Sequence, residues 1–274
     1  MQAEGWRTSG TSRSAEKRAE LNARGIQAFD FPLENPAAAF DGVTHVLSTV
    51  PPTESGDPVL SSHGGDLAEL PGLAWAGYLS TTGVYGDRGG DWVDENSETR
   101  PTSDRGQRRV QAEESWLELH KSRKLPVHVF RLPGIYGPGR SALDAVRNGR
   151  AHRAFKPGQT FSRIHVDDIV QALQASMQRP NPGAIYNVVD DNPAAAHEVV
   201  EYACTLLRTD PPPLAALEDA RLSPAALEFY ADNKRVSNER LKRELGVKLR
   251  YPDYRRGLDT IFSEQGRLIT PAGL

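Results

Sequence analysis

Short apolar runs, separated by polar and glycine-containing stretches, recur along the first half of the chain. Four of these runs have the length of buried strands and cover residues 26–31, 43–50, 75–80 and 126–132. Between them lie longer segments with helix signals, such as residues 15–24, which follow Ser14 and stop at Gly25. Strands that alternate with helices predict an α/β fold built on a parallel sheet.

The run at residues 75–80 breaks abruptly into hydroxyls and a glycine, at Ser80, Thr81, Thr82 and Gly83. This pattern is typical of a buried strand whose carboxyl end opens into a crevice, where open α/β sheets bind their ligands. The alternative is that the hydroxyls bond only to the backbone of their own turn. The residues themselves leave both interpretations open.

Composition and charge narrow the class of partner. The 274 residues are 38% hydrophobic and 25% charged, and the formal net charge of −3 gives no reason to expect nucleic acid or an anionic membrane as partner. No apolar stretch approaches the roughly 20 residues of a membrane span. A lone cysteine, Cys204, excludes an internal disulfide, and the seven histidines lack metal-ligand spacing. We expect a cytoplasmic monomer or homodimer that binds a small molecule and no metal.

Residues 79–86 resemble the active-site strand of the extended short-chain dehydrogenases, the superfamily of nucleotide-sugar epimerases and dehydratases. Four later segments follow in that family's order, at residues 131–139, 163–169, 184–191 and 237–252, the last resembling an atypical branch. The resemblance implies a Rossmann-like doubly wound parallel sheet in residues 1–134. It also implies a small, mainly helical substrate lobe in residues 135–274, with residues 184–190 returning to the core as a strand.

The start of the sequence lacks the glycine-rich turn of a dinucleotide-binding fold. Residues 3–7 read like the end of a first helix, and residues 8–14 like the end of a second strand. We therefore expect a first strand, its glycine turn and most of a helix, about 20 residues, to be missing. Such a loss predicts weak or no dinucleotide binding and a lower stability than that of a longer form.

The cofactor that the resemblance implies is NADP, with NAD as the alternative. Arg13, beside the hydroxyl of Ser12, suits the 2′-phosphate of NADP at a place where an NAD enzyme has an acidic residue. Ser14 also fits as the amino-terminal cap of the following helix. The resemblance places eight further residues, from three strand ends, along the cofactor: Ser48, Thr49, Val50, Pro51, Ser80, Pro133, Gly134 and Ile135.

Family members with hydride chemistry combine a Ser or Thr at this strand end with a Tyr-x-x-x-Lys pair on the next helix. Thr81 matches the hydroxyl, but Arg105 and Arg109 stand where the tyrosine and the lysine are expected. A guanidinium stays protonated, so Arg105 cannot shuttle a proton. The i, i+4 spacing puts both arginines on one helix face, where they would anchor cofactor or substrate charge. The alternative is a solvated face balanced by acidic residues, Glu113 among them.

Tyr85 is a further candidate catalytic phenol, and the candidate substrate contacts are Thr82, Tyr136 and Arg163. Two functions remain open at this point. One is an NAD(P)-dependent oxidoreductase or epimerase-like enzyme that acts on a small, sugar- or nucleotide-linked molecule. The other is a catalytically inactive nucleotide-binding or redox-sensing module on the same fold, because the usual proton-transfer tyrosine is absent.

Overall fold

Strands and helices alternate along the chain. A computed structural model describes residues 5–220 and 222–269, so the predictions made for residues 1–4 and 270–274 lie outside the described residues. The strands are β1 (Ser9–Thr11), β2 (Gln27–Phe29), β3 (His45–Ser48), β4 (Trp75–Thr81), β5 (Trp92–Val93), β6 (Val127–Leu132), β7 (Gly134–Tyr136), β8 (Arg153–Phe155), β9 (Arg163–His165), β10 (Ile185–Asn187), β11 (Leu214–Ala216) and β12 (Arg235–Val236). The helices are α1 (Ala15–Ala23), α2 (Pro36–Phe40), α3 (Pro58–Glu69), α4 (Asp104–Arg123), α5 (Ala142–Arg147), α6 (Val166–Gln178), α7 (Ala196–Leu207), α8 (Pro224–Ala231), α9 (Glu239–Leu245) and α10 (Tyr254–Ile269).

The main sheet has four parallel strands in the order β10-β6-β4-β3. Its two central strands are apolar on both faces because helices cover both sides. On one face Tyr78 and Val129 pack with Trp116 of α4, in a cluster that α3 completes. On the other face Trp75 and Phe130 pack against α6 and α9. The predicted α/β fold with a Rossmann-like parallel sheet is confirmed.

Strands β1 and β2 form a separate parallel pair. Within residues 5–220 and 222–269, no strand lies between β1 and β3, the edge strand of the main sheet. Helix α1 follows β1 as the sequence predicts, because the Ser14 hydroxyl accepts the backbone N–H of Lys17 at its start. The α-helical turn α2 then leads into β3. The amino-terminal part of the fold is therefore a two-stranded pair beside a four-stranded sheet.

The carboxyl-terminal lobe packs α5, α7 and α10 around a core of its own. Short parallel pairs accompany these helices: β7 with β9, and β8 with β11. A third pair, β12 with β5, links the lobe to the segment between β4 and α4. Within the lobe that the sequence predicts to be mainly helical, β11 and β12 are strands, because their backbone groups pair with distant strands. Among the described residues, no helix is long and apolar enough to cross a membrane.

Candidate active site

Thr81 ends β4 at the carboxyl edge of the main sheet, directly beside Leu132 at the end of β6. Its side-chain oxygen accepts the backbone N–H of Gly83 at 3.1 Å and so caps a short 3₁₀ turn over residues 82–85. The Thr81 hydroxyl therefore does bond to the backbone of its own turn, as one of the two interpretations of the sequence has it. A hydroxyl also has one hydrogen to donate. Since the described residues provide no acceptor for it, the Thr81 O–H is available to a ligand at this edge.

Ser80 points to the opposite side of the strand, because successive side chains alternate. Its hydroxyl donates to Glu113 of α4 at 2.5 Å, and Glu113 pairs with Arg131 of β6 at 2.7 Å. Arg131 donates to the Tyr85 hydroxyl at 2.9 Å, which donates to Asn187 of β10 at 2.8 Å. No side chain of this buried network is in a residue more than 5% exposed. The network joins β4, β6, β10 and α4 beneath Thr81.

The buried network changes the roles that the sequence suggests for two residues. Burial raises the pKa of Tyr85 to about 12, against the lowering effect of the Arg131 guanidinium. The phenol therefore stays protonated at neutral pH, and its oxygen is engaged by Arg131 and Asn187. The Ser80 hydroxyl, predicted to contact the cofactor, instead donates to Glu113. Both side chains support the cleft from below and do not line it.

Three members of the buried network, Glu113, Arg131 and Asn187, are not among the candidate residues that the sequence indicates. The alternative in which Glu113 balances a solvated helix face is wrong for this residue, because it is only 3% exposed. Asn187 was not singled out at all. A signal for Glu113 was nevertheless present, since Arg131 lies in an apolar strand and a buried guanidinium requires a carboxylate nearby.

Of the two arginines on α4, the structure brings one to the active-site strand. Arg109 is 9% exposed and donates from Nη1 to the carbonyl oxygen of Leu79 at 2.6 Å and to the Tyr78 hydroxyl at 3.1 Å. Arg109 thus lies beside β4, where it contacts the backbone at Leu79, two residues before Thr81. Arg105, one turn earlier in α4, is exposed at the surface. The helix face that the two arginines share is therefore exposed at the start of α4, at Arg105, and buried one turn later, at Arg109.

Three of the candidate cofactor contacts at the end of β3 line one cavity. Ser48, Thr49 and Val50 line it together with Thr11, and its volume is about 980 Å³. The Ser48 hydroxyl is buried and has no hydrogen-bond partner among the described residues. Pro51 continues from Val50 and is exposed.

The candidate adenosine contacts lie in the turn after β1. The Ser12 side-chain oxygen accepts the N–H of Ser14 at 3.2 Å, and its carbonyl oxygen accepts from Arg18 at 2.7 Å. Arg13, between the two serines, is exposed and free of those turn contacts. The turn thus orders its hydroxyls locally and presents the Arg13 guanidinium to solvent.

The glycine- and proline-rich segment at residues 133–139 does not leave β6 as a simple loop. Gly134 and Ile135 belong to β7, which pairs with β9 in register from Gly134–Arg163 to Tyr136–His165. The chain leaves the main sheet at Pro133 and immediately joins a second ladder, since backbone groups there find partners in β9. Pro133 and Ile135 are half-buried and Gly134 is exposed, beside the end of β4.

Two of the three candidate substrate contacts share a second cavity, of about 600 Å³, in the carboxyl-terminal lobe. Tyr136 lines it and donates from its hydroxyl to the carbonyl of Asp253 at 3.3 Å. Arg163 lines it too, while its Nη1 bonds the carbonyl oxygens of Phe161 and Ala194, each at 2.8 Å. Thr82 is buried in the 3₁₀ turn and does not line this cavity.

Known proteins resemble this arrangement along the whole chain. The family model described as "NAD dependent epimerase/dehydratase family" matches residues 75–189, which run from β4 through β10. A functionally unknown conserved protein from Silicibacter pomeroyi DSS has a solved structure with 48% identity and a TM-score of 0.90, over 96% of this chain and 92% of that one. Residues 75–189, about two fifths of the chain, thus match the NAD-dependent epimerase/dehydratase family.

Other similar proteins are more distant in sequence. Protein YeeZ of Escherichia coli K12 is 28% identical over 179 residues, which are 64% of this chain and 58% of that protein. The chain therefore spans less than two thirds of the length of this curated relative. The dTDP-glucose 4,6-dehydratase of Bacillus anthracis str. Ames, solved in complex with NAD, is 18% identical with a TM-score of 0.73 over 97% of this chain and 90% of that one. At that identity the likeness shows the fold.

The matching family model is described as NAD-dependent, and the described residues of this chain provide only parts of a dinucleotide site. Pyrophosphate is held where a glycine-rich turn opens into a helix whose first N–H groups are free. In residues 5–220 and 222–269, no strand-to-helix turn combines clustered glycines with an uncapped helix start. The glycine-rich turn before α5, for example, ends in Ser141 and Asp144, which cap that helix reciprocally. The described residues therefore do not fit the pyrophosphate.

Proposed function

We propose that this family member carries out NADP-dependent oxidoreductase or epimerase-like chemistry at a hydroxyl or carbonyl group of a small, sugar- or nucleotide-linked molecule. The observation that carries this proposal is the position of Thr81, whose hydroxyl stands at the open carboxyl edge of β4 with its hydrogen unused by the protein. Ligands of open α/β sheets bind at this edge.

In this proposal Thr81 orients the reacting group. The N–H of Gly83 holds the Thr81 oxygen, so the remaining O–H can donate to a substrate carbonyl or hydroxyl without a change of rotamer. The buried network supports this position because Ser80, the adjacent residue, is tied to Glu113. Arg109 fixes the backbone at Leu79 and brings a permanent positive charge close to the edge. Exposed Arg105 is free to meet an anionic group of a ligand.

One observation favours a second candidate function, a nucleotide-binding or redox-sensing module without turnover. The positions of the family's tyrosine and lysine hold Arg105 and Arg109, neither of which can give up a proton at neutral pH. The phenol of Tyr85 is engaged in the buried network. Proton transfer would then depend on the substrate or on water.

Turnover separates the two candidates. Oxidation of NADPH and of NADH by residues 1–274 is followed with a panel of carbonyl compounds and nucleotide sugars. We expect Thr81→Ala to lower kcat/KM at least tenfold and Thr81→Ser, which keeps the hydroxyl and the turn cap, to retain most of it. Thr205→Ala, an exposed hydroxyl on α7, is the matched control. Binding of NADP without turnover across the panel would favour the module.

A further inference from the structure

The cavity of about 600 Å³ in the carboxyl-terminal lobe, here called the lobe cavity, lies among three helices. Its walls come from α5, α7 and α10, and the rest of its lining comes from β7, β9, the turn at residues 139–141 and Arg150. Its volume is that of a small-molecule site. Within the described part of the chain, no residue of the segment 79–86 lines it, so the lobe cavity is separate from the edge at Thr81.

The charge that lines the lobe cavity is positive. Three arginines line it, Arg140, Arg150 and Arg163, against one carboxylate, that of Asp144. None of these arginines forms an ion pair within 4.0 Å between described residues. Asp144 is already engaged, because it accepts the N–H of Ser141 at 2.9 Å and the hydroxyl of Ser141 at 2.6 Å. The uncompensated guanidinium groups favour an anionic ligand.

The guanidinium of Arg163 is held on one side and unpaired on the other. Its Nη1 donates to the carbonyl oxygens of Phe161 and Ala194, each at 2.8 Å, whereas its Nε and Nη2 have no hydrogen-bond acceptor among the described residues. An Nε and Nη2 pair fits the two oxygens of a carboxylate. The same protein uses this arrangement in its buried network, where Nε of Arg131 lies 3.1 Å from Oε1 of Glu113 and Nη2 lies 2.7 Å from Oε2.

Tyr254 brings a second unused donor to the lobe cavity. The residue lines the cavity and is 1% exposed, and its hydroxyl has no hydrogen-bond partner among the described residues. Its ring is fixed without the hydroxyl, by an edge-on contact with Tyr202 at 5.9 Å and by the Arg255 guanidinium at 4.7 Å. Burial raises the pKa of Tyr254, so the hydroxyl keeps its proton at neutral pH. A buried hydroxyl without a partner lowers stability, and phenylalanine would keep the ring contacts without that cost.

The remaining wall of the lobe cavity is apolar. Its apolar side chains come from all three helices: Ala142, Ala145, Ala196, Val199, Val200 and Leu258. A ligand that fills the cavity therefore needs an apolar body as well as an anionic group. A bare phosphate would leave this wall uncovered.

We propose that the lobe cavity binds a small amphiphilic carboxylate, whose oxygens accept from Nε and Nη2 of Arg163 and from the Tyr254 hydroxyl. Its apolar body would pack between α5 and α7. Arg140 and Arg150, which are exposed, would attract the anion toward the cavity. The proposal does not depend on turnover at Thr81, because it concerns a different set of residues.

Isothermal titration calorimetry of residues 1–274 with octanoate tests the proposal. We expect one octanoate to bind per chain. Octanol has the same apolar chain without the charge, and inorganic phosphate has charge without the chain, so each should bind at least tenfold more weakly. Equal binding of octanol would overturn the role of the guanidinium, and tighter binding of phosphate would overturn the choice of a carboxylate.

Two substitutions locate the bound octanoate. Tyr254→Phe should weaken binding at least about tenfold, because a hydrogen bond to a charged acceptor is lost. The matched control is Tyr202→Phe, which removes a hydroxyl that donates to Asp259 outside the cavity and should keep the wild-type affinity. Arg150→Glu should weaken binding about threefold, by an amount that shrinks at high salt, whereas Arg123→Glu, at an exposed arginine of α4, should not.

The melting temperature separates a binding role of Tyr254 from a structural one. Without octanoate, Tyr254→Phe should melt no lower than the wild type, because the hydroxyl that it loses is unpaired. A lower melting temperature would overturn the proposal, since the hydroxyl would then have a partner within the fold. Octanoate that binds Tyr254→Phe and Arg150→Glu as tightly as the wild type would also overturn it, because the ligand would then occupy another site.

Discussion

Asp190 carries a buried carboxyl whose ionisation should make the stability of the fold depend on pH. The residue is 1% exposed and follows β10, and it takes part in none of the ion pairs formed within 4.0 Å among the described residues. Burial raises the pKa of Asp190 from 3.8 to about 8, against the opposing charge of Arg163. Replacement by asparagine keeps the size of the side chain and removes the charge.

The two pKa values of Asp190, 3.8 in the unfolded chain and about 8 in the folded chain, give the sign and the size of the pH effect on stability. The pKa of Asp190 is higher in the folded chain than in the unfolded chain. The stabilising contribution of Asp190 to the free energy of unfolding is therefore fully present below pH 3.8 and is lost as the pH rises to about 8. At about 1.4 kcal/mol per pH unit, the wild type should lose about 4 kcal/mol between pH 5 and pH 8 through this group. Asp190→Asn lacks this loss. Since domains are stable by about 5–15 kcal/mol, the difference is measurable.

Urea unfolding at several pH values between 5 and 8 tests the argument. We expect the free energy of unfolding of Asp190→Asn to exceed that of the wild type by an amount that grows with pH. Asp210→Asn, an exposed aspartate in the loop after α7, should follow the wild-type pH dependence. Parallel curves for the wild type and Asp190→Asn would refute the reasoning, because they would show that the carboxyl titrates alike in both states.

Two further predictions concern the support of the candidate active site. Glu113→Gln leaves the Arg131 guanidinium buried without its counter-charge and should lower the free energy of unfolding by about 3–5 kcal/mol in urea. Glu98→Gln, in an exposed pair with Arg100, should leave the midpoint unchanged, and similar shifts for both would contradict the role of the buried network. Gly86→Ala should destabilise the fold by more than about 4 kcal/mol, because an added Cβ would lie 1.8 Å from the carbonyl oxygen of Arg100. Gly89→Ala, also at positive φ but with nothing within 4 Å of the added atom, should cost only about 1–2 kcal/mol, and equal melting points would exclude the clash.

Much of the fold follows from local patterns in the sequence. The runs at residues 75–80 and 126–132 became β4 and β6, because an apolar run bounded by glycine, proline or hydroxyls has few other ways to be buried. The change from apolar residues to hydroxyls at residues 80–82 also predicts where β4 ends, and so where the carboxyl edge of the main sheet lies. The cap at Ser14 also depends only on adjacent residues, since its hydroxyl bonds the third N–H along the chain.

Only the tertiary structure decided which side chains face the cleft. Ser80 and Thr81 are adjacent hydroxyls that a sequence pattern treats alike, yet the alternation of the strand sends one to Glu113 and leaves the other at the edge. Arg105 and Arg109 share a helix face, and the packing of α4 on β4 buries only Arg109. The cavity that β1 and β3 line likewise depends on where β1 lies relative to β3, a distance in space that no spacing along the chain can specify.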